Sequence, residues 1–176
     1  MIDYSLLFKK EFAPHELPDL PTWDLFISAF NQSERVSHVF DCVTSSSKHW
    51  LVQTEYDFED NDLPEGDVFG PFSRDESEFW SDYADQSNLK SKPTSETVCI
   101  DSTGFMRPQL MFALLYFKSL GFDTLDVLYS DPQAYESGEN TKFTKGAVTE
   151  VRQVRGFEGT HVPDAGDDDL LIIGAG

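Results

Sequence analysis

The chain is poor in cysteine, in positive charge and in long apolar runs. Cysteine occurs only at Cys42 and Cys99. Two isolated thiols give neither a disulfide framework nor a zinc-ligand spacing. Both are expected to be small, buried and inert, in a reducing and therefore cytoplasmic compartment. Histidine occurs at His15, His38, His49 and His161, with no pair at metal-ligand spacing. No metal is expected and no cofactor is evident. Lys and Arg number 13 against 32 Asp and Glu, a formal net charge of −19. Long-range repulsion makes duplex nucleic acid and anionic membranes poor partners for such a surface. No run approaches the roughly 20 apolar residues needed to span a bilayer. The first residues carry Asp3 and only a brief apolar stretch, unlike a secretory signal.

What is present is a core. Residues of the hydrophobic class make up 39% of the chain, and phenylalanine alone contributes 15 residues. That is too much large apolar surface for a disordered chain. The 176 residues fit one domain. Residues 1–22 hold Pro14, Pro18 and Pro21 and read as an arm packing through Leu6, Leu7, Phe8 and Phe12. Residues 23–176 read as the domain proper.

Within it, short apolar runs alternate with helical spacings. Strands are expected near 24–30, 49–56, 97–101, 124–129 and 170–173, with a further short one at 150–154. Continuous apolar runs of this kind suit a buried parallel sheet. Val36, Val39, Phe40 and Val43 share one helical face, with Ser33 placed to cap it. Phe79, Trp80 and Tyr83 mark an amphipathic helix in 75–86, and the acidic stretch 57–74 reads as a long loop. Pro108 opens a helix that Gly121 stops, and its residues 110–117 are apolar nearly all round, as in a fully buried helix. The pattern predicts a three-layer α/β sandwich of the Rossmann-like kind with a mostly parallel central sheet. The last strand runs into Gly174-Ala175-Gly176, where a helix is expected, so a C-terminally truncated domain is expected.

In open parallel sheets, ligands bind beyond the carboxyl ends of the strands, where helix N-termini present unpaired N–H groups. The candidate ligand-binding residues are therefore Asn31, Ser33, Ser102, Thr103, Gly104, Arg107 and Gly174. In 101–107, Ser102 and Thr103 supply hydroxyls and Gly104 permits close approach. Arg107 adds a fork suited to phosphate or carboxylate. The same residues also suit a plain cap and turn. The Walker A spacing is absent. Glu158 and His161 lie in a glycine-framed turn, and with Glu55 they are the candidate acids and bases. For Glu158 and His161 an ordinary surface turn is the preferred reading.

Asp101-Ser102-Thr103-Gly104-Phe105, set between a strand and a helix, resembles the strand–Thr-Gly–helix segment of CARF-type Rossmann domains over residues 97–131. That resemblance implies sensing of a cyclic oligonucleotide in prokaryotic antiviral defence. Phe105 and Arg107 stand where that loop carries a second glycine and a lysine. Asp24-Leu25-Phe26-Ile27-Ser28 is similar to the first strand of TIR domains, which scaffold signalling or hydrolyse NAD. Glu78 lies near a helix, but nothing matches it to that family's glutamate.

The expectation is a nucleotide-like anion bound at the strand ends, in the sensor part of a larger protein. Two alternatives stand beside it: a nucleotide- or NAD-hydrolysing enzyme, and an acidic module for a protein partner. The acidity also fits a merely solvated surface or a salt-adapted proteome.

Overall fold

The structure is a computed structural model that describes residues 10–132 and 151–158. Five strands form one sheet in the order β3-β2-β1-β4-β5, and every pair is parallel. They are β1 (Trp23–Ala29), β2 (Ser45–Gln53), β3 (Asp67–Phe72), β4 (Val98–Asp101) and β5 (Asp126–Leu128). Helices α1 (Glu34–Cys42), α2 (Glu76–Gln86) and α3 (Arg107–Ser119) lie between them. The chain runs outward from β1 to β3, returns to the middle, and runs outward again through β4 and β5.

The reversal puts helices on both faces. Side chains alternate across each strand, so Leu25, Ile27 and Ala29 enter one core while Phe26 enters the other. Leu51, Val98 and Ile100 join the first, and Trp50 and Cys99 join the second. The first core is closed by α2 and α3 and centres on Trp80, packed among Phe79, Tyr83, Phe105 and Phe117. The Trp80 indole N–H, wholly buried, donates to the Gln109 carbonyl at 2.8 Å. The second core is closed by α1, and Phe40 stacks on Trp50 with ring centroids 3.6 Å apart. This is the three-layer α/β arrangement the sequence predicts.

Several elements depart from the sequence reading. β3 lies inside the stretch read as a loop. It is a sheet edge, mostly exposed, and carries Gly70 and Pro71, so it lacks the apolar run of a central strand. β2 begins at Ser45, and its serines occupy the exposed first half of the strand. Residues 151–154 form no strand. Helix α3 is not buried all round: Met111, Leu114 and Leu115 are exposed, because only one side of it meets the sheet and α2. Cys99 is buried but Cys42 is only half-buried. The strand expected at 170–173, with His161 and Gly174, lies outside the described residues.

Candidate functional site

The strand order reverses between β1 and β4. Loops leaving adjacent strands in opposite directions open a crevice at such a point. Ser28 and Asp101 face each other there in register, both fully buried. Ser28 Oγ donates to Asp101 Oδ2 at 2.9 Å, and the Thr103 amide donates to Oδ1 at 3.0 Å. Burial pushes the Asp101 carboxyl above the ordinary carboxylate range, against the pull of these hydrogen bonds.

The loop after β4 is pinned from several sides. The Ser102 amide and hydroxyl both donate to the Leu128 carbonyl, each at 2.8 Å. Thr103 Oγ1 accepts the Ser130 amide at 2.9 Å. The Gly104 carbonyl accepts from Gln53 Nε2 at 3.1 Å and from the Tyr56 hydroxyl at 2.9 Å. Gln53 Oε1, on a wholly buried side chain, accepts the Met106 amide at 2.9 Å. A Cβ on Gly104 would lie 2.1 Å from the Ala29 carbonyl oxygen. Glycine is required here by close approach of the β4 loop to the end of β1. On the β1 side, Asn31 Oδ1 accepts the Ser33 amide at 2.9 Å, closing the turn into α1. The Ser33 side chain makes no capping bond.

Of the residues marked from sequence, Asn31, Ser33, Ser102, Thr103 and Gly104 thus gather at the switch point. The Ser102 and Thr103 hydroxyls bond to the protein itself. Arg107 is the first residue of α3 and is exposed, and it pairs with neither Asp101 nor Glu158. Glu55 stands apart in the turn after β2, half-buried. Glu158 Oε2 accepts the Gly156 amide at 2.6 Å, fastening its own turn.

What sequence reasoning missed is the distribution of the arginines. The chain has five, and all lie at the carboxyl end of the sheet. Arg35, in the first turn of α1, donates to the Ser130 carbonyl just past β5 at 2.7 Å. Arg74 immediately precedes Asp75, the N-cap of α2, and Arg107 opens α3. The segment 151–158 brings the other two. Arg152 Nη1 lies 2.7 Å from Oε1 of the fully buried Glu76 and donates to its Oε2 at 2.9 Å. Arg155 Nε donates to Asp75 Oδ2 at 3.0 Å. Burial disfavours the Asp75 charge, but the Glu78 amide, Arg155 and the Ser77 amide overcome it and hold its carboxyl below the usual value. Arg74, Asp75, Arg152, Gln153, Arg155 and Glu158 line a groove of about 410 Å³. The α3 end adjoins it, because Gln109 Nε2 donates to the Arg74 carbonyl at 3.1 Å.

Among the described residues, Lys48, Lys90, Lys92 and Lys118 lie elsewhere. Lys48 donates to the Phe40 and Asp41 carbonyls at the end of α1. Lys118 is in the last turn of α3, and Lys90 and Lys92 follow α2. Lysines at helix C-termini satisfy the helix dipole, whereas arginines at N-termini oppose it. The signal in sequence is an arginine beside or within the first turn of each helix, at 35, 74 and 107.

Among the described residues, no group of three His, Cys, Asp or Glu side chains is placed to hold a metal ion, and no helix is long and apolar enough to cross a membrane. The Cys42 sulfur lies 3.7 Å from His38 Nδ1, a neighbour the sequence reading overlooked. No family model, no curated protein and no solved structure matches the chain.

Proposed function

We propose that this domain binds a small phosphate-bearing, nucleotide-like ligand at the carboxyl end of its sheet. The ligand sits over the N-termini of α2 and α3 and is held by Arg74 and Arg107, with Arg152 and Arg155 behind them. The placement of the arginines carries this reading. A protein at −19 repels anions at long range, and a helix N-terminus disfavours a cation by roughly 0.3–1 kcal/mol at an exposed site. Arginines set there against the dipole are stabilised most by an anion that meets the guanidinium groups, although Asp75 already caps the Ser77 and Glu78 amides of α2. Arg152 and Arg155 are balanced by Glu76 and Asp75. Arg74 and Arg107 have no ion-pair partner among the described residues, and both are exposed.

Calorimetric titration with nucleoside mono-, di- and triphosphates, cyclic nucleotides, NAD and inorganic pyrophosphate tests the proposal. Binding is expected for at least one of them. The double variant Arg74→Ala/Arg107→Ala should weaken it at least tenfold, while Lys118→Ala, at the opposite end of α3, should leave it unchanged. Equal affinities in all three proteins, or no binding by the folded full chain, would overturn the reading. Pyrophosphate binding without any nucleoside preference would restrict the site to the phosphate alone.

A further inference from the structure

We propose that the segment 151–158 is a strap that completes the anion groove, and that the buried carboxylate of Glu76 sets the groove's affinity by holding this strap down. The inference rests on the phosphate reading above and adds how that site is regulated. Arg152, Gln153, Arg155 and Glu158 line the groove from the strap, whereas Arg74 and Asp75 line it from the body of the domain. The groove is therefore complete only while the strap is docked. The strap is neither helix nor strand. Of its apolar side chains, Val151 and Phe157 are exposed and Val154 is half-buried. Little apolar burial fastens it, and among the described residues its fastening is polar.

Arg152 is the main fastening. Its Nη1 lies against both oxygens of Glu76, and its Nη2 donates to the Arg74 carbonyl at 3.1 Å. Arg155 adds its bond to Asp75. The Phe157 amide donates to the Val154 carbonyl at 3.1 Å and closes the turn between them. Glu76 is fully buried, and among the described residues Arg152 is its one ion-pair partner. A buried charge without a partner is costly, so an ionised Glu76 draws Arg152 and the strap down. Glu76 does not itself line the groove. Its two possible influences on a bound anion have opposite signs. As a bare charge it repels the anion, and Glu76→Gln would tighten binding and release Arg152 to the ligand. As an anchor it keeps the groove complete, and Glu76→Gln lowers the fraction of binding-competent molecules and the apparent affinity with it. By linkage, a ligand that needs the strap also holds it down by the same factor.

Calorimetry with inorganic pyrophosphate, beside hydrogen exchange at the Gly156 and Phe157 amides of the full chain, tests this. In the wild type these amides should exchange more slowly than unstructured peptide, and saturating pyrophosphate should slow them by a further factor of about five or more. Glu76→Gln should speed their exchange and weaken pyrophosphate binding by about fivefold or more. Gly156→Val is a second variant that removes no charge. Gly156 has φ of 78°, which a β-branched residue adopts only under strain, and its Cβ would lie 2.6 Å from Leu115 Cδ1. The position is exposed, so the core is untouched. This variant should release the strap and weaken pyrophosphate alike, and it stands alone if Glu76→Gln does not fold. Equal or tighter binding by a variant whose strap is released overturns the coupling and leaves the phosphate reading standing. A strap that is protected in the wild type and released in the variants, with pyrophosphate bound by none of the three proteins, overturns the coupling through the reading on which it rests. Exchange at unstructured rates in the wild type, or exchange unchanged by Glu76→Gln, overturns the strap and its anchor whatever pyrophosphate does.

Discussion

Acidification should weaken this fold through His49. The ring is 5% exposed, between Phe69 and Tyr83, with Nδ1 2.8 Å from the Tyr83 hydroxyl and Nε2 2.8 Å from Ser47 Oγ. Both hydroxyls adapt to either ring tautomer, so the neutral imidazole is satisfied. Burial disfavours the imidazolium and lowers the pKa from 6.5 to about 4, with Asp67 opposing and Lys92 reinforcing the shift. Above pH 6.5 the ring is neutral in the folded and unfolded chain alike, and the contribution is fully present. As the pH falls toward 4 the unfolded chain takes the proton and the folded chain does not, so stability is lost across that window. At about 1.4 kcal/mol per unit, the loss is about 2 kcal/mol at pH 5 and about 3 kcal/mol when the folded ring titrates. Urea unfolding at pH 7.5 and pH 5 measures it, with His49→Gln as reference because glutamine keeps hydrogen bonding and cannot titrate there. The wild type should lose about 2 kcal/mol more than the variant over this interval. Equal losses, or an imidazole midpoint near 6.5 by NMR, would refute the reasoning.

Two further perturbations test the supports of the candidate site. Arg152→Ala strips the fully buried Glu76 of its counter-charge. Breaking a buried pair from one side costs about 3–5 kcal/mol, and about 3 is expected here because Arg152 is one-third exposed; Glu76→Gln added to Arg152→Ala should recover part of the loss in urea melts. Gly104→Ala drives a methyl group against the Ala29 carbonyl oxygen, so the β1 and β4 loops must separate, at a cost of about 1–3 kcal/mol or more by thermal unfolding. An alanine variant as stable as the wild type would show that the loops do not meet.

The central fold was legible because parallel strands buried on both faces write themselves as apolar runs. β1 and β4 are of this kind, and Phe26, Ile27, Cys99 and Ile100 are wholly buried. β3 was not legible for the converse reason. As an edge strand with Asp67, Gly70 and Pro71 it presents a loop's composition, and only pairing with β2 makes it a strand. The outer side of α3 misled in the other direction: Met111, Leu114 and Leu115 are apolar in sequence yet lie in the open. Periodicity reports what a residue is, and only the neighbouring layer decides whether it is covered. The candidate site was half legible. Gly104 and Arg107 were marked by position after a strand, but the roles of Gln53 and Tyr56 depend on contacts with a loop some fifty residues away, to which local spacing is blind.

The charge pattern resolves a conflict between two scales. At long range the molecule is uniformly unwelcoming to anions, because 32 acids outnumber 13 bases. That field is screened beyond about 8–10 Å at ordinary ionic strength, so the groups within a few ångströms decide what binds. Within that radius the two ends of the sheet differ. Among the described residues, Lys48, Lys90, Lys92 and Lys118 sit at or just beyond helix C-termini at the amino end, an arrangement that is favourable by itself. Arginines sit with helix N-termini at the carboxyl end, where each like-signed dipole opposes them. Acid partners relieve two of them, Arg152 and Arg155. Among the described residues no such acid forms an ion pair with Arg74 or Arg107. Their exposure without an ion pair among the described residues, beside two helix N-termini and a groove, is the feature that the proposed anion would answer, and the arginine double variant is the measurement that decides it.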